Sequence, residues 1–364
     1  MTDRETTGVA TADPRLTGAA GGERLVVPDV LRGVAILAML VAHAIPFLPS
    51  LSGVVRSVMV NVNDLASPLF ALVMGISAQI MLTRTPSGRR GVLLLQQLVR
   101  GLVLIVLGLW LETWSSWVAV VLAYLGVLLI VGAPLLLLST RWVAVVALLV
   151  LVIGDPVNAW ARESLSWVYT SGSPLVHVFS WVTLGNSYRL VNLLPMFLLG
   201  ALLMRHGFKR DGLLWGMLAV VPVAYALRPI GEVLLHVEVF PSGSYLDSLH
   251  DIALVFAAYV AVVLLATVRA EPARRIIAAV FVPLRAIGAV ALSLYVLHVG
   301  VIALWYLANG WPISNQYLGW LLIVPGMVLI GWAWWRFVGP GPIEWLLGAI
   351  TGRPKKRASK ATAA

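Results

Sequence analysis

An all-α integral membrane protein, with about ten transmembrane helices in one bundle, is the fold this sequence predicts, and three observations predict it. The 364 residues are 60% hydrophobic and 12% charged, with a mean hydropathy of +0.92, which the surface of a water-soluble domain of that length would not tolerate. Apolar stretches of roughly 17 to 22 residues recur between short polar breaks, the length of a membrane-crossing helix; a barrel would alternate over about ten residues per strand. Lys and Arg gather on every second break, the asymmetry that orients multi-span proteins.

Residues 1–26 are rich in Thr, Ala, Gly and charge. They read as a disordered cytoplasmic tail without the pattern of a cleavable signal peptide. The membrane domain occupies 27–350, and 351–364 form a basic cytoplasmic tail. The first span, about Val30 to Phe47, opens with Pro28-Asp29-Val30-Leu31-Arg32-Gly33 and is ended by Pro46 and Pro49. The second, about Asp64 to Met81, has Ser67-Pro68 as its start signal. Further spans are expected at about Val92 to Leu111, Trp117 to Leu138, Trp142 to Ile153, Leu190 to Met204 and Leu213 to Leu227. The last three are placed at about Ile252 to Val268, Ala286 to Leu307 and Leu318 to Phe337. The fifth is the shortest, since Arg141 and Asp155 bracket it, and a tilted or half-crossing helix fits there.

With the amino terminus inside, 21 of the 26 Lys and Arg residues fall on inner segments and 4 (Arg56, Arg162, Arg189, Arg228) on outer ones, Arg100 lying within the third span. Both termini are therefore expected to be cytoplasmic, in a multi-pass protein of a bacterial plasma membrane. That distribution accounts for the net charge of +10 without nucleic acid as a partner. No cysteine occurs, which removes disulfides, thiolate metal sites and a cysteine acyl carrier. Phosphate-binding glycine loops, zinc-protease motifs and nucleophile elbows are absent, and no metal is expected. The long outer loops, about Gly154 to Arg189 and Arg228 to His250, hold Trp160, Trp167, Trp181, Asp155, Glu163, Glu232, Glu238 and Asp247. They suit sugars or head groups, or form an ordinary interfacial aromatic belt.

An ionisable side chain within a span is costly to bury and so marks a candidate site. Asp29, Arg32, Ile36, Met39 and His43 step by three and four, a stripe along one helix face over about 21 Å. Arg32 either pairs with Asp29 and inner phosphates or anchors the helix at the interface. His43 lies deeper. His298, one turn beyond Tyr295, is a second histidine in mid-span, either catalytic or bonded within the core. Asp64 either caps the second helix or sits beside an imidazole, where a carboxylate would orient it for proton transfer.

These residues resemble a family. The run Pro28-Asp29-Val30-Leu31-Arg32-Gly33 to His43, followed by Asp64-Leu65-Ala66-Ser67-Pro68-Leu69-Phe70 and Met74-Gly75-Ile76-Ser77, is similar to the opening of heparan-alpha-glucosaminide N-acetyltransferase-like and YeiB-like membrane proteins. Leu194-Pro195-Met196-Phe197-Leu198-Leu199-Gly200, Leu292-Ser293-Leu294-Tyr295 with His298, and Gly341-Pro342-Ile343-Glu344-Trp345 resemble later blocks of the YeiB-like branch. The resemblance implies a transmembrane acyltransferase. Acyl-CoA, as acetyl-CoA, would be the cytoplasmic donor and an extracytoplasmic glycan or lipid the acceptor, with membrane lipid around the chain and a homodimer left open. On that reading His43, Asp64 and His298 are catalytic and Arg32 and Asp29 meet the donor. The acetyltransferase branch carries its active histidine in the loop between the first two helices; Leu48 to Val62 contain none, and His43 stands at the neighbouring helix end. The rival reading is a proton-coupled transporter or lipid-handling carrier, with the same three residues as a relay.

Overall fold

The computed structural model describes residues 25–50, 52–114, 116–237 and 240–351; most of both terminal tails and Glu238 lie outside them. Among the described residues there is no strand. Thirteen helices follow in order: α1 Val26–Ala44, α2 Gly53–Arg84, α3 Arg90–Glu112, α4 Leu122–Leu135, α5 Thr140–Ser164, α6 Leu175–Leu184, α7 Leu190–His206, α8 Gly212–Leu234, α9 Tyr245–Ala266, α10 Glu271–Ala289, α11 Ala291–Asn309, α12 Tyr317–Phe337 and α13 Pro342–Ile350. Eight are long and apolar enough to cross a membrane, which makes this a multi-pass membrane protein.

Every expected span corresponds to a helix, but three differ in their bounds and one helix has no expected counterpart, each for a physical reason. Helix α2 begins at Gly53 and runs 32 residues straight through Pro68, so Ser67 is no cap. Proline costs a helix its bond to residue i−4, a loss that neighbouring helices offset in a packed bundle. Helix α5, the shortest expectation, continues past Asp155 and Pro156 to Ser164. Helix α4 is shorter than predicted, because residues 116–121 approach it as non-helical chain. Helix α10 is not among the expected spans: Arg274, Arg275 and Arg285 make it look like a loop in a hydropathy profile, although Phe281, Ala286 and Ile287 are buried. Hydrogen bonds from Arg274 and Arg275 hold the Glu271 carboxyl at its start below the usual range.

Helix α1 packs between α2 and α10, α2 against α7, α3 against α4, α5 against α7, and α8 against α9. The tightest crossings use glycine. A Cβ on Gly75 would stand 1.8 Å from the Phe197 carbonyl oxygen, and one on Gly200 2.0 Å from that of Leu72. The two sequence blocks holding these glycines are therefore facing halves of one α2–α7 contact, the small-residue solution of membrane helix packing. Gly33 and Gly288 do the same between α1 and α10. Two apolar clusters result. One surrounds Leu31, Leu72, Phe208 and Tyr259; the other surrounds Leu40, Leu128, Phe197 and Val299.

Candidate active site

A cavity of about 580 Å³ opens within the bundle. Arg32, Arg84 and Arg100 give it a basic wall, with Asp29, Ser77 and Glu344 the other charged or hydroxyl groups there. Past these its lining turns apolar, with Ile36, Leu104, Val121, Leu122 and Leu125, and includes Tyr295. Arg32 is held in place: its guanidinium donates to Ser77 Oγ at 2.8 Å and, at 3.4 Å each, to Asp29 and the Gly288 carbonyl. Arg100 donates to Met81 Sδ at 2.8 Å and Thr351 Oγ1 at 3.2 Å. Arg32 and Asp29 thus share the cavity as the stripe on helix one predicts. Arg84 and Arg100 were missed as lining residues because the sequence does not show which faces of α2 and α3 meet.

Beyond Tyr295 lie the two histidines. His43 Nδ1 and His298 Nε2 are 3.0 Å apart, with nearly parallel rings at 12°. Tyr295 sets its ring edge-on to His298, centroids 5.0 Å apart. One turn of α11 thus connects the cavity wall to the imidazole pair. One placement of the protons suits these surroundings. His298 Nδ1 is buried without a well-formed hydrogen bond, but the groups facing that ring are the Tyr295 and Leu294 carbonyls, which only accept. A proton on Nδ1 suits them and leaves Nε2 of His298 as acceptor. His43 then donates from Nδ1, so its Nε2 holds a lone pair, the form a general base needs.

Two further features hold this geometry. Glu344 on α13 caps α11: its carboxylate accepts from the Leu292 and Ser293 amides at 2.6 and 3.2 Å and from the Ser293 hydroxyl, while the Ile343 amide donates to Ser293 Oγ at 3.0 Å. A carboxylate at a helix N-terminus is favourable against the macrodipole. A side chain on Gly341 would collide with both Glu344 and Ser293, which joins two of the separated sequence blocks. The second feature is the non-helical stretch 116–121. Trp117 Nε1 donates to the His43 carbonyl at 3.4 Å, and the Val121 amide donates to the Tyr295 hydroxyl at 3.1 Å. Irregular backbone inside a membrane bundle persists only where protein or a cavity surrounds it. On the far side of His43 from the cavity, Phe47 packs edge-on against Trp117 and Trp305, with centroids 5.6 and 5.0 Å away.

Asp64 is elsewhere. It forms neither a hydrogen bond nor an ion pair with His43, and the expectation that it orients this imidazole is corrected; His298 holds that position. Asp64 Oδ2 instead meets Arg228 at 3.2 Å, and Arg228 also binds Asp247 and Glu232 at 3.2 Å each. His250 stands 3.8 Å from Asp64. Asn61 donates to the Tyr225 hydroxyl at 2.9 Å beside this group. The network ties α2 to α8 and α9. A helix-face argument says that Asp64 looks into the bundle but not which helix it meets. Of the acidic groups expected on outer loops, Asp155 accepts from the Tyr245 amide and Asp247 from the Gly243 amide, while Trp160 and Trp167 are exposed. No group of three or more His, Asp or Glu among the described residues could hold a metal ion.

The family model for heparan-alpha-glucosaminide N-acetyltransferase, catalytic, matches residues 24–212 of this chain. That stretch runs from α1 into the start of α8 and contains Arg32, His43 and the α2–α7 crossing. No curated protein matches the chain.

Proposed function

The chain belongs to the heparan-alpha-glucosaminide N-acetyltransferase family of transmembrane acetyltransferases, and on that premise we propose that it carries an acetyl group from acetyl-CoA to an amine or hydroxyl of a glycan or lipid. One observation carries the reading: a cavity whose wall is basic at Arg32, Arg84 and Arg100 and whose other end is lined by the tyrosine that touches a histidine pair. Phosphates match the arginines, the pantetheine arm matches the apolar part, and the volume is within the roughly 300–1,000 Å³ of small-molecule sites. The donor thioester would then stop near Tyr295.

In the reaction, the acceptor nitrogen or oxygen attacks the thioester carbonyl while His43 Nε2 takes its proton. The new C–N or C–O bond forms first. Collapse of the tetrahedral intermediate breaks the C–S bond, and the thiolate receives the proton from His43. His298 shares the positive charge across its 3.0 Å contact. The excess of Lys and Arg on alternate loops supports a bacterial plasma membrane with the basic wall of the cavity facing the cytoplasm, which presents the acceptor from outside.

Acetyl transfer by the purified protein in nanodiscs, with labelled acetyl-CoA and amino-sugar or lipid acceptors, tests this. Labelled product is expected. Arg100→Ala should raise the KM for acetyl-CoA about five- to tenfold, and added salt should raise the wild-type KM, since exposed phosphate contacts are screened. Flux of a solute down a proton gradient without acetylated product would return the chain to the transporter reading.

A further inference from the structure

We propose that the Tyr295 hydroxyl is a catalytic group of this site, the hydrogen-bond donor that holds the oxyanion formed when the thioester carbonyl is attacked. The proposal rests on the acetyl-transfer reading and goes beyond it, because general-base chemistry at His43 leaves the developing negative charge on oxygen unaccounted for. An acyl transfer stabilises that charge with a donor placed beforehand, in a site closed to water.

The cavity narrows the candidates. Of its charged and hydroxyl-bearing lining residues, Arg32 is bound to Ser77, Asp29 and Gly288, and Glu344 is engaged in capping α11. Arg84 and Arg100 belong to the basic wall. At the histidine end the wall is Ile36, Val121, Leu122 and Leu125, with Tyr295 the hydroxyl-bearing residue among them. That residue is 3% exposed, and its ring is fixed edge-on against His298.

The hydrogen-bond inventory then gives the direction. The Tyr295 oxygen accepts from the Val121 amide at 3.1 Å, and its own proton is donated to no described residue. A hydroxyl that accepts from an amide is polarised and becomes a better donor. Its remaining proton is therefore available to the cavity it lines. Residues 116–121 acquire a purpose at the same time, since a helix beginning at Trp117 would use the Val121 amide internally. In the step itself, the carbonyl π pair moves to oxygen as the acceptor bonds to carbon, and the Tyr295 O–H donates to it without transferring its proton. When the pair returns, the C–S bond breaks.

The experiment compares Tyr295→Phe with wild type in steady-state acetyl transfer and adds fluorinated tyrosines at position 295. Phenylalanine retains the ring packed against His298 and removes only the hydroxyl. The expected result is a fall in kcat of about 10²–10³, the loss found for a single oxyanion donor, with little change in the KM for acetyl-CoA. Fluorination retains the hydroxyl and makes it more acidic, so kcat should change systematically with phenol acidity, which a packing role would not produce. An unimpaired kcat in Tyr295→Phe overturns the proposal and leaves the acetyl-transfer reading intact. If the phenylalanine variant does not fold, a kcat indifferent to fluorination overturns it instead. If wild type transfers no acetyl group, both fall together.

Discussion

The ionisable residues around Arg228 and those around His43 differ in how their groups are paired. Around Arg228 ion pairing dominates: Asp64, Asp247 and Glu232 all reach one guanidinium at 3.2 Å, while His250 beside them keeps two buried ring nitrogens without a hydrogen bond. Around His43 the groups are neutral or singly engaged. His43 spends one ring nitrogen on His298, His298 has a buried nitrogen without a good partner, and Tyr295 accepts but does not donate to a described residue. Carboxylates paired with one guanidinium join helices; groups with unspent bonding capacity beside a cavity are available to a substrate. The presence of a charged residue in a span does not separate the two cases. Its partners do.

This contrast can be broken first at Arg228. Replacing it with Ala strands three carboxylates in a partly buried position, and removing one partner of a buried pair typically costs about 3–5 kcal/mol. With Arg228 15% exposed and its partners 14–26%, about 3 kcal/mol is expected, read as a lower thermal midpoint in detergent. Residual folded protein should retain its acetyl-transfer kcat. A stable but inactive variant would place Arg228 in the reaction.

Asp64→Asn is a gentler form of the same test. It keeps the shape, weakens one charge-assisted contact to Arg228, and should cost about 1–2 kcal/mol without altering kcat per folded molecule. Activity lost with no change in thermal midpoint would restore Asp64 to the catalytic group.

Glu344 sharpens the comparison because it is saturated yet adjacent to the site. Glu344→Gln keeps one carbonyl for the α11 cap and loses the charge facing the helix dipole, a penalty of about 1 kcal/mol. Since α11 carries both Tyr295 and His298, a modest loss of kcat should accompany the loss of stability. Unchanged kcat would mean that the cap secures the helix end without setting the site.

The sequence made much of the fold legible because spans are written in composition. Long apolar runs need no partner to be recognised, and Arg32, Asp29, His43 and His298 stand out against them. What composition hid was anything that depends on a neighbour. Helix α10 carries three arginines among its apolar residues, so its buried residues disappear in an average. Residues 116–121 are as apolar as a helix but are held out of helical pairing by hydrogen bonds to Tyr295 and His43. Asp64 went to Arg228 because α8 and α9, and not α1, present the matching charge. The separated blocks gained meaning only in space, with Gly75 set against Phe197 and Ser293 against Glu344.

The claim that most needs testing is that His43 and His298 act as one unit. A double-mutant cycle on acetyl-transfer kcat, using His43→Gln, His298→Gln and the pair, addresses it directly. His43→Gln should lower kcat by about 10²–10⁴, the usual contribution of a general base. His298→Gln should lower it less, and the double variant should be scarcely worse than His43→Gln alone, the non-additivity of groups that act together. Full acetyl transfer by His43→Gln, or losses that simply multiply, would contradict the account.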